Sequence, residues 1–283
     1  MFWPADIVIN AFIDRLVSDH EQYFPSAPSA HGEAIARVAR LSLSRIARSN
    51  ALYHDLDHTL LVTMVGQDML RGRIARSADV SSEDWLHFVA SLLLFGVGFV
   101  RGACPGDQGN RCVIDDKGDS VLLPRGKTDG SLWPYYADRS KIFAAHHLAH
   151  DTVLDWERVV ANVEYSRFPP ALDLNPETTS YPGLLRAAHL IGAIGDPNFF
   201  QKVKPLHLEL AESGMLFAIG YETVAEFQEN FAEFYHRALE PLVRDGLALL
   251  EFTPQGRVWM THIHAHVLRR RAELSDTAKP RPG

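Results

Sequence analysis

Two histidines four residues apart, His54 and His58, sit in the segment Tyr53-His54-Asp55-Leu56-Asp57-His58-Thr59. On a helix that spacing places both imidazoles on one face. Asp55 and Asp57 flank them, and a histidine oriented by a carboxylate can give or take a proton near neutral pH without a metal. The same residues also admit a plain structural role, with His58 satisfied in the core and His54 capping the helix. A second set, Arg101, Asp138, Arg139, Lys141, Glu164 and Arg167, has the charge to bind an anionic substrate, and equally the charge to form ordinary surface ion pairs. Arg101 and Lys141 are the members best suited to ligand contact. Trp133, Tyr135 and Tyr136 could close over a cavity or pack beneath the loop that carries them. The run His146-His147-Leu148-Ala149-His150-Asp151 offers further donors, His150 among them, but reads as a helix end where cations meet the terminal carbonyls. Thr261-His262-Ile263-His264-Ala265-His266, followed by Arg269-Arg270-Arg271, reads as a solvated helix end.

The elements that must hold these residues are helical. Ile7, Val8, Phe12, Leu16 and Val17 form one apolar face, and Ile35, Val38, Ala39, Leu41, Leu43 and Ile46 another. A third helix is expected over 54–70, and Ser81-Ser82-Glu83-Asp84 caps a fourth that runs to about Leu94. Residues 101–137 break the pattern with Gly, Pro, Asp and Lys. Within them Cys112-Val113-Ile114 and Val121-Leu122-Leu123 flank Asp116-Lys117-Gly118-Asp119, a hairpin inside a long insertion. Helices then follow over 138–150, 152–166, 184–194, 198–213, 224–250 and 256–271, and a polar, Pro-rich tail over 275–283 reads as loose. No strand pattern builds a real sheet. The expectation is an all-α chain, one domain over 1–283 with its core at about 30–272.

The whole-chain composition excludes several classes. At 46% apolar and 22% charged residues the chain is ordinary for a globular protein, and 283 residues bury a sizeable core without staples. A net charge of −7 disfavours nucleic acid as a partner, because phosphate binding needs a basic footprint. The longest mostly apolar run, Trp85 to Val100, contains His87 and is shorter than the ~20 residues of a membrane span. The N-terminus has no basic start and meets Asp6 early, unlike a signal peptide. A cytoplasmic protein with no membrane partner is expected, with Cys104 and Cys112 as free thiols rather than a disulfide. The amphipathic stretches 224–250 and 256–271 could support a homodimer.

Tyr53-His54-x-x-x-His58 before an apolar helix resembles the opening of the HD superfamily of metal-dependent phosphohydrolases, in its cyclic-nucleotide-phosphodiesterase-like branch. The likeness extends in order through Gly98-Phe99-Val100-Arg101-Gly102, Thr128-Asp129-Gly130-Ser131-Leu132, Asp138-Arg139-Ser140-Lys141, Arg167-Phe168-Pro169 and Leu190-Ile191-Gly192, over roughly residues 35–270. It implies a phosphodiesterase-like helical bundle. It also implies a general acid at His54 and a first metal ligand at His58. The superfamily's His-Asp pair falls on Phe95-Gly96, and its later Asp falls on His189. Phe95 has no lone pair and Gly96 no side chain, so a two-metal site that draws on carboxylates cannot be built there. Phe95 could fill the vacated space and floor a dry pocket.

Three readings follow. The first is a metal-independent small-molecule enzyme, with His54, His58, Asp57 and His189 as the acid–base set. Phe95, Arg101, Tyr135, Lys141, His150 and Arg167 would stand around its ligand, and the reaction would be an isomerisation, cyclisation or elimination, without a cofactor. The second is a non-catalytic pseudo-phosphohydrolase that binds a small ligand. The third is a phosphohydrolase that keeps one divalent metal on His58 and His189, with a third donor from His146, His147, His150 or Asp151.

Overall fold

The computed structural model describes residues 3–170 and 177–277, with backbone alone over 270–277. Among them the chain is all-α apart from one two-stranded hairpin. Helix α1 (Pro4–Tyr23) opens with proline in its first turn, where the ring costs no hydrogen bond, and carries Asp6 against the positive end of the helix dipole. It buries Ile9, Ile13 and Leu16 on α2 (Ser29–Ile46), whose inward face is Ile35, Val38, Ala39, Leu43 and Ile46. Helix α3 (Leu56–Ser77) starts two residues later than expected and runs seven further. Asp55, in extended backbone, is the N-cap and accepts from the His58 N–H at 3.0 Å, so His54 lies in the turn before the helix and does not cap it. Helix α4 (Ser82–Leu94) has a full capping box from Ser81 and Asp84, and Trp85 to Leu94 are all buried. A helix apolar all round belongs at the centre of a bundle, and α4 packs on α2, α3 and α6.

A 3-10 turn (Val97–Phe99) leads into the insertion, where β1 (Arg111–Val113) pairs antiparallel with β2 (Ser120–Leu122), Cys112 opposite Val121. Arg139 ties this segment down from within. Its fully buried guanidinium donates to the carbonyls of Gly98 and Val100 and pairs with Asp107 at 2.9 Å. A second 3-10 stretch (Asp129–Tyr135) runs into α5 (Tyr136–Leu148), and α6 (Trp156–Glu164) packs on it. Helix α7 (Tyr181–Ile194) lies on α3, followed by α8 (Phe199–Ser213), α9 (Val224–Phe234), α10 (Glu240–Leu250) and α11 (Pro254–Thr277).

The expected single helix over 224–250 is two, joined by a π-helical turn at Tyr235–Leu239, and α10 turns its face onto α7 and α3. The last helix carries the backbone to Thr277, past the expected start of a loose tail, and 278–283 lie outside the described residues. One contiguous apolar core runs from Ile9 to Ile263, with a satellite of Cys112, Leu123 and Leu132 under the hairpin. Both cysteines are free thiols. Among the described residues no helix is long and apolar enough to cross a membrane.

Candidate functional site

The turn before α3, the first turn of α3 and the middle of α7 bring three imidazoles together. His54, His58 and His189 are 4%, 3% and 5% exposed, and one ring nitrogen of each lies within 4.8 Å of the others. Their ring centroids stand 5.0 Å (54–58), 5.3 Å (58–189) and 5.9 Å (54–189) apart. The close crossing of α7 on α3 depends on Gly192, where a Cβ would stand 2.8 Å from Val62 Cγ2 and 2.9 Å from its Cα.

Two of the rings are oriented from behind. His54 Nδ1 lies 2.5 Å from Glu209 Oε1, and the other carboxylate oxygen accepts the Tyr53 N–H at 2.7 Å. Glu209, on α8, has no exposure at all. The backbone of Gly130 presses against it, where a Cβ would come 2.2 Å from the Glu209 Cγ. Phe99 stacks on the His54 ring at 4.1 Å, and Trp133 meets it edge-on at 4.5 Å. His189 Nδ1–H donates to the Ser166 carbonyl at 3.0 Å. With both Nδ1 atoms engaged, the free lone pair of His54 and of His189 is on Nε2. His58 Nε2 is buried and has no hydrogen-bond partner among the described residues. Burial holds His58 well below the usual imidazole range and His189 down at about 3, with the neighbouring His54 adding to both. Both are therefore neutral at pH 7.

Three imidazole nitrogens, two of them backed by an oxygen acceptor on the opposite ring nitrogen, are a donor set that fits a single transition-metal ion. A histidine ligand is ordinarily fixed by such a carboxylate or carbonyl, and three protein donors leave a position open for substrate or water. Imidazole suits zinc, iron, copper or nickel. Magnesium and calcium require oxygen donors, which these three rings do not offer. The third histidine is His54, not a member of the His146–Asp151 run. His146, His147 and His150 are exposed, and Asp151 is paired with Arg37.

A cavity of about 60 Å³ opens beside the cluster. His54, His189 and Tyr53 form one end, and Phe199, Phe227, Phe231 and Phe234 with Leu210 and Ile219 form much of the rest. Trp133 and Phe168 also line it.

The other residues singled out in the sequence fall elsewhere. Asp57 is exposed and 3.9 Å from Lys202, so it does not orient either histidine. Phe95 is fully buried behind the cluster, 4.9 Å from His189 and 6.1 Å from His58 between centroids, and does not line the cavity. Arg101 is engaged by Asp129 and Asn110 within the insertion. Tyr135 packs under the hairpin beside Leu132. Lys141 and Arg167 share Asp138 and Glu164. His150 is exposed at the end of α5. None of these stands around the cavity. Of the aromatic trio only Trp133 does, while Tyr136 stacks on Phe99 and bonds the Ser166 carbonyl. Glu209 and the α9 phenylalanines went unseen in the sequence. Glu209 is a lone acid between Leu208 and Leu210 and lies 155 residues from the histidine it orients, so no local pattern marks it.

Fold and site together define an all-α protein with a buried three-histidine centre beside an apolar cavity. The chain belongs to the Npun_R2479-like family, whose sequence model matches residues 2–273. No curated protein and no solved structure matches it.

Proposed function

We propose that this chain is a mononuclear metalloenzyme acting on a small molecule, with His54, His58 and His189 holding one transition-metal ion. The observation that carries the reading is the buried, unpartnered Nε2 of His58, close to two further imidazoles whose Nδ1 atoms are already engaged. A buried polar nitrogen left without a partner is destabilising unless something occupies it. When bound, such an ion supplies Lewis-acid or redox chemistry at its open position. The chain's own part is orientation and exclusion. Glu209 and the Ser166 carbonyl fix the tautomers of His54 and His189, and the apolar wall keeps water from the reacting end.

The resemblance to the HD superfamily remains a proposal of descent. It is supported by the convergence of Phe95, His58 and His189, which the likeness assigns to one ancestral site. A second reading, metal-free acid–base catalysis, rests on the 2.5 Å contact between His54 and Glu209. It is weaker for His189, because a group held at about 3 is a poor base at neutral pH.

Elemental analysis of protein purified without chelator tests the first reading. About one transition-metal ion per chain is expected, lost in His58→Ala and His189→Ala and kept in His147→Ala. Folded wild-type protein that takes up no zinc, iron(II), cobalt(II) or nickel(II) on incubation overturns it in favour of the second.

A further inference from the structure

The residues around the cavity say what class of molecule reaches the histidines. We infer that the substrate is an uncharged, mostly hydrocarbon small molecule, its apolar part among the α8–α9 side chains and its one polar end at His54 and His189. This rests on the reading of the three histidines as the reacting centre, and the test below separates the two.

The first ground is charge. No Lys, Arg, Asp or Glu occurs among the described residues that line the cavity. The cations singled out in the sequence, and Lys202, are already paired: Arg101 with Asp129, Lys141 and Arg167 with Asp138 and Glu164, and Lys202 with Asp196 at 2.8 Å. Among these side chains a phosphoester or carboxylate would be an unpaired buried anion, which is strongly disfavoured, and at the histidines the charge of a bound ion would already be offset in part by the Glu209 carboxylate behind His54.

The second ground is the wall itself. Phe199 and Phe231 stand 4.8 Å apart and Phe227 and Phe234 5.4 Å apart, a continuous aromatic surface. The π-helical turn at Tyr235–Leu239 extends that wall by delivering Leu239 to the cavity. Turns of this kind recur at functional sites, because the extra residue changes which side chains face inward.

The third ground is polarity at one end only. Trp133 has committed its Nε1–H to the Phe168 carbonyl. His54 and His189 therefore mark the polar end, where an ion held on their Nε2 atoms would offer its open position to the substrate's polar group. The volume of about 60 Å³ admits roughly four to six water-sized spheres, the scale of a short alkyl chain or a single ring.

The experiment titrates the full chain with 1-pentanol and with inorganic phosphate by ligand-observed NMR, with metal content measured on the same sample. Pentanol should bind at one site with phosphate failing to displace it. Ala193→Phe, which puts a ring into the cavity, should weaken pentanol by about ten-fold or more. Phe231→Ala, which enlarges the cavity, should turn the preference toward 1-octanol, and it carries the test if Ala193→Phe does not fold. Phosphate binding, or pentanol binding equally to wild type, Ala193→Phe and Phe231→Ala, overturns the inference. Pentanol bound specifically by protein that takes up no metal upholds the substrate class and removes the metal reading. Metal-loaded protein that binds phosphate and ignores both alcohols does the reverse.

Discussion

Removing the Glu209 carboxylate would strand three donors in a dry place: the Tyr53 and His54 backbone N–H groups and the His54 Nδ1–H. Glu209→Ala should therefore lose about 3–5 kcal/mol in urea unfolding. Glu209→Gln keeps an acceptor for the ring and should stay folded, while metal affinity falls roughly 10–100-fold, as for other groups that back a ligand. Equal affinity in Glu209→Gln and wild type would show that the acid only holds the turn. His58 and His189 set a pH dependence of their own in chelator-stripped protein. Burial lowers both, His189 to about 3, whereas in the unfolded chain each titrates near 6.5. Between those values the unfolded state binds more protons. Stability is then complete above about pH 6.5 and is lost as the pH falls toward the folded value, by up to about 1.4 kcal/mol per unit and per group. Urea midpoints should fall between about pH 7.5 and pH 5, less steeply in His189→Gln. A profile that is flat, or that His189→Gln leaves unchanged, refutes this account.

At the scale of elements, the cluster exists because α7 lies close enough to α3 to bring His189 to His58. Gly192→Ala should push the two helices apart, lowering stability by about 1–3 kcal/mol and metal content with it. Gly96→Ala is the matched control. Its Cβ would meet only Thr59 Oγ1, at 3.5 Å, in helical backbone, so stability and metal content should hold. If both variants behave alike, the helix crossing does not set the site. The contrast also marks what the sequence makes legible. Apolar periodicity and caps such as Ser81-Ser82-Glu83-Asp84 foretell α4 and the all-α class, because local energetics decide them. The pair His54/His58 does meet, with ring centroids 5.0 Å apart, but His54 reaches the cluster from the turn before α3 rather than from a shared helix face. The break at Tyr235–Leu239 is hidden, since Ala238 and Leu242 continue the three- and four-residue spacing of Phe227, Phe231 and Phe234 in the sequence, while the π turn buries Leu239 and Val243 instead. The charged residues mislead for a different reason. Arg101, Lys141 and Arg167 look like anion binders until the partners that neutralise them are known, and those partners are set by tertiary contacts.

Across the whole molecule, α11 closes the bundle over the far end of the helix that carries His189. The stretch Thr261–His266 is more than a solvated helix end. His262 Nδ1–H donates to the Gly195 carbonyl at 2.9 Å and His266 Nδ1–H to the Ile194 carbonyl at 2.8 Å. These are terminal carbonyls of α7, groups a helix cannot satisfy from within. Trp259 adds a bond from Nε1 to the buried Asp68 of α3 at 2.7 Å, so α11 grips both helices of the cluster. Replacing His262 and His266 together with alanine should remove about 1 kcal/mol for each bond and lower the melting temperature by roughly 3–4 °C. The three metal donors remain in that double variant, so metal content at low temperature should be unchanged while its loss on heating comes earlier. An unaltered melting temperature would mean that water serves those carbonyls equally well. An immediate loss of metal would instead make α11 part of what holds His189 in place.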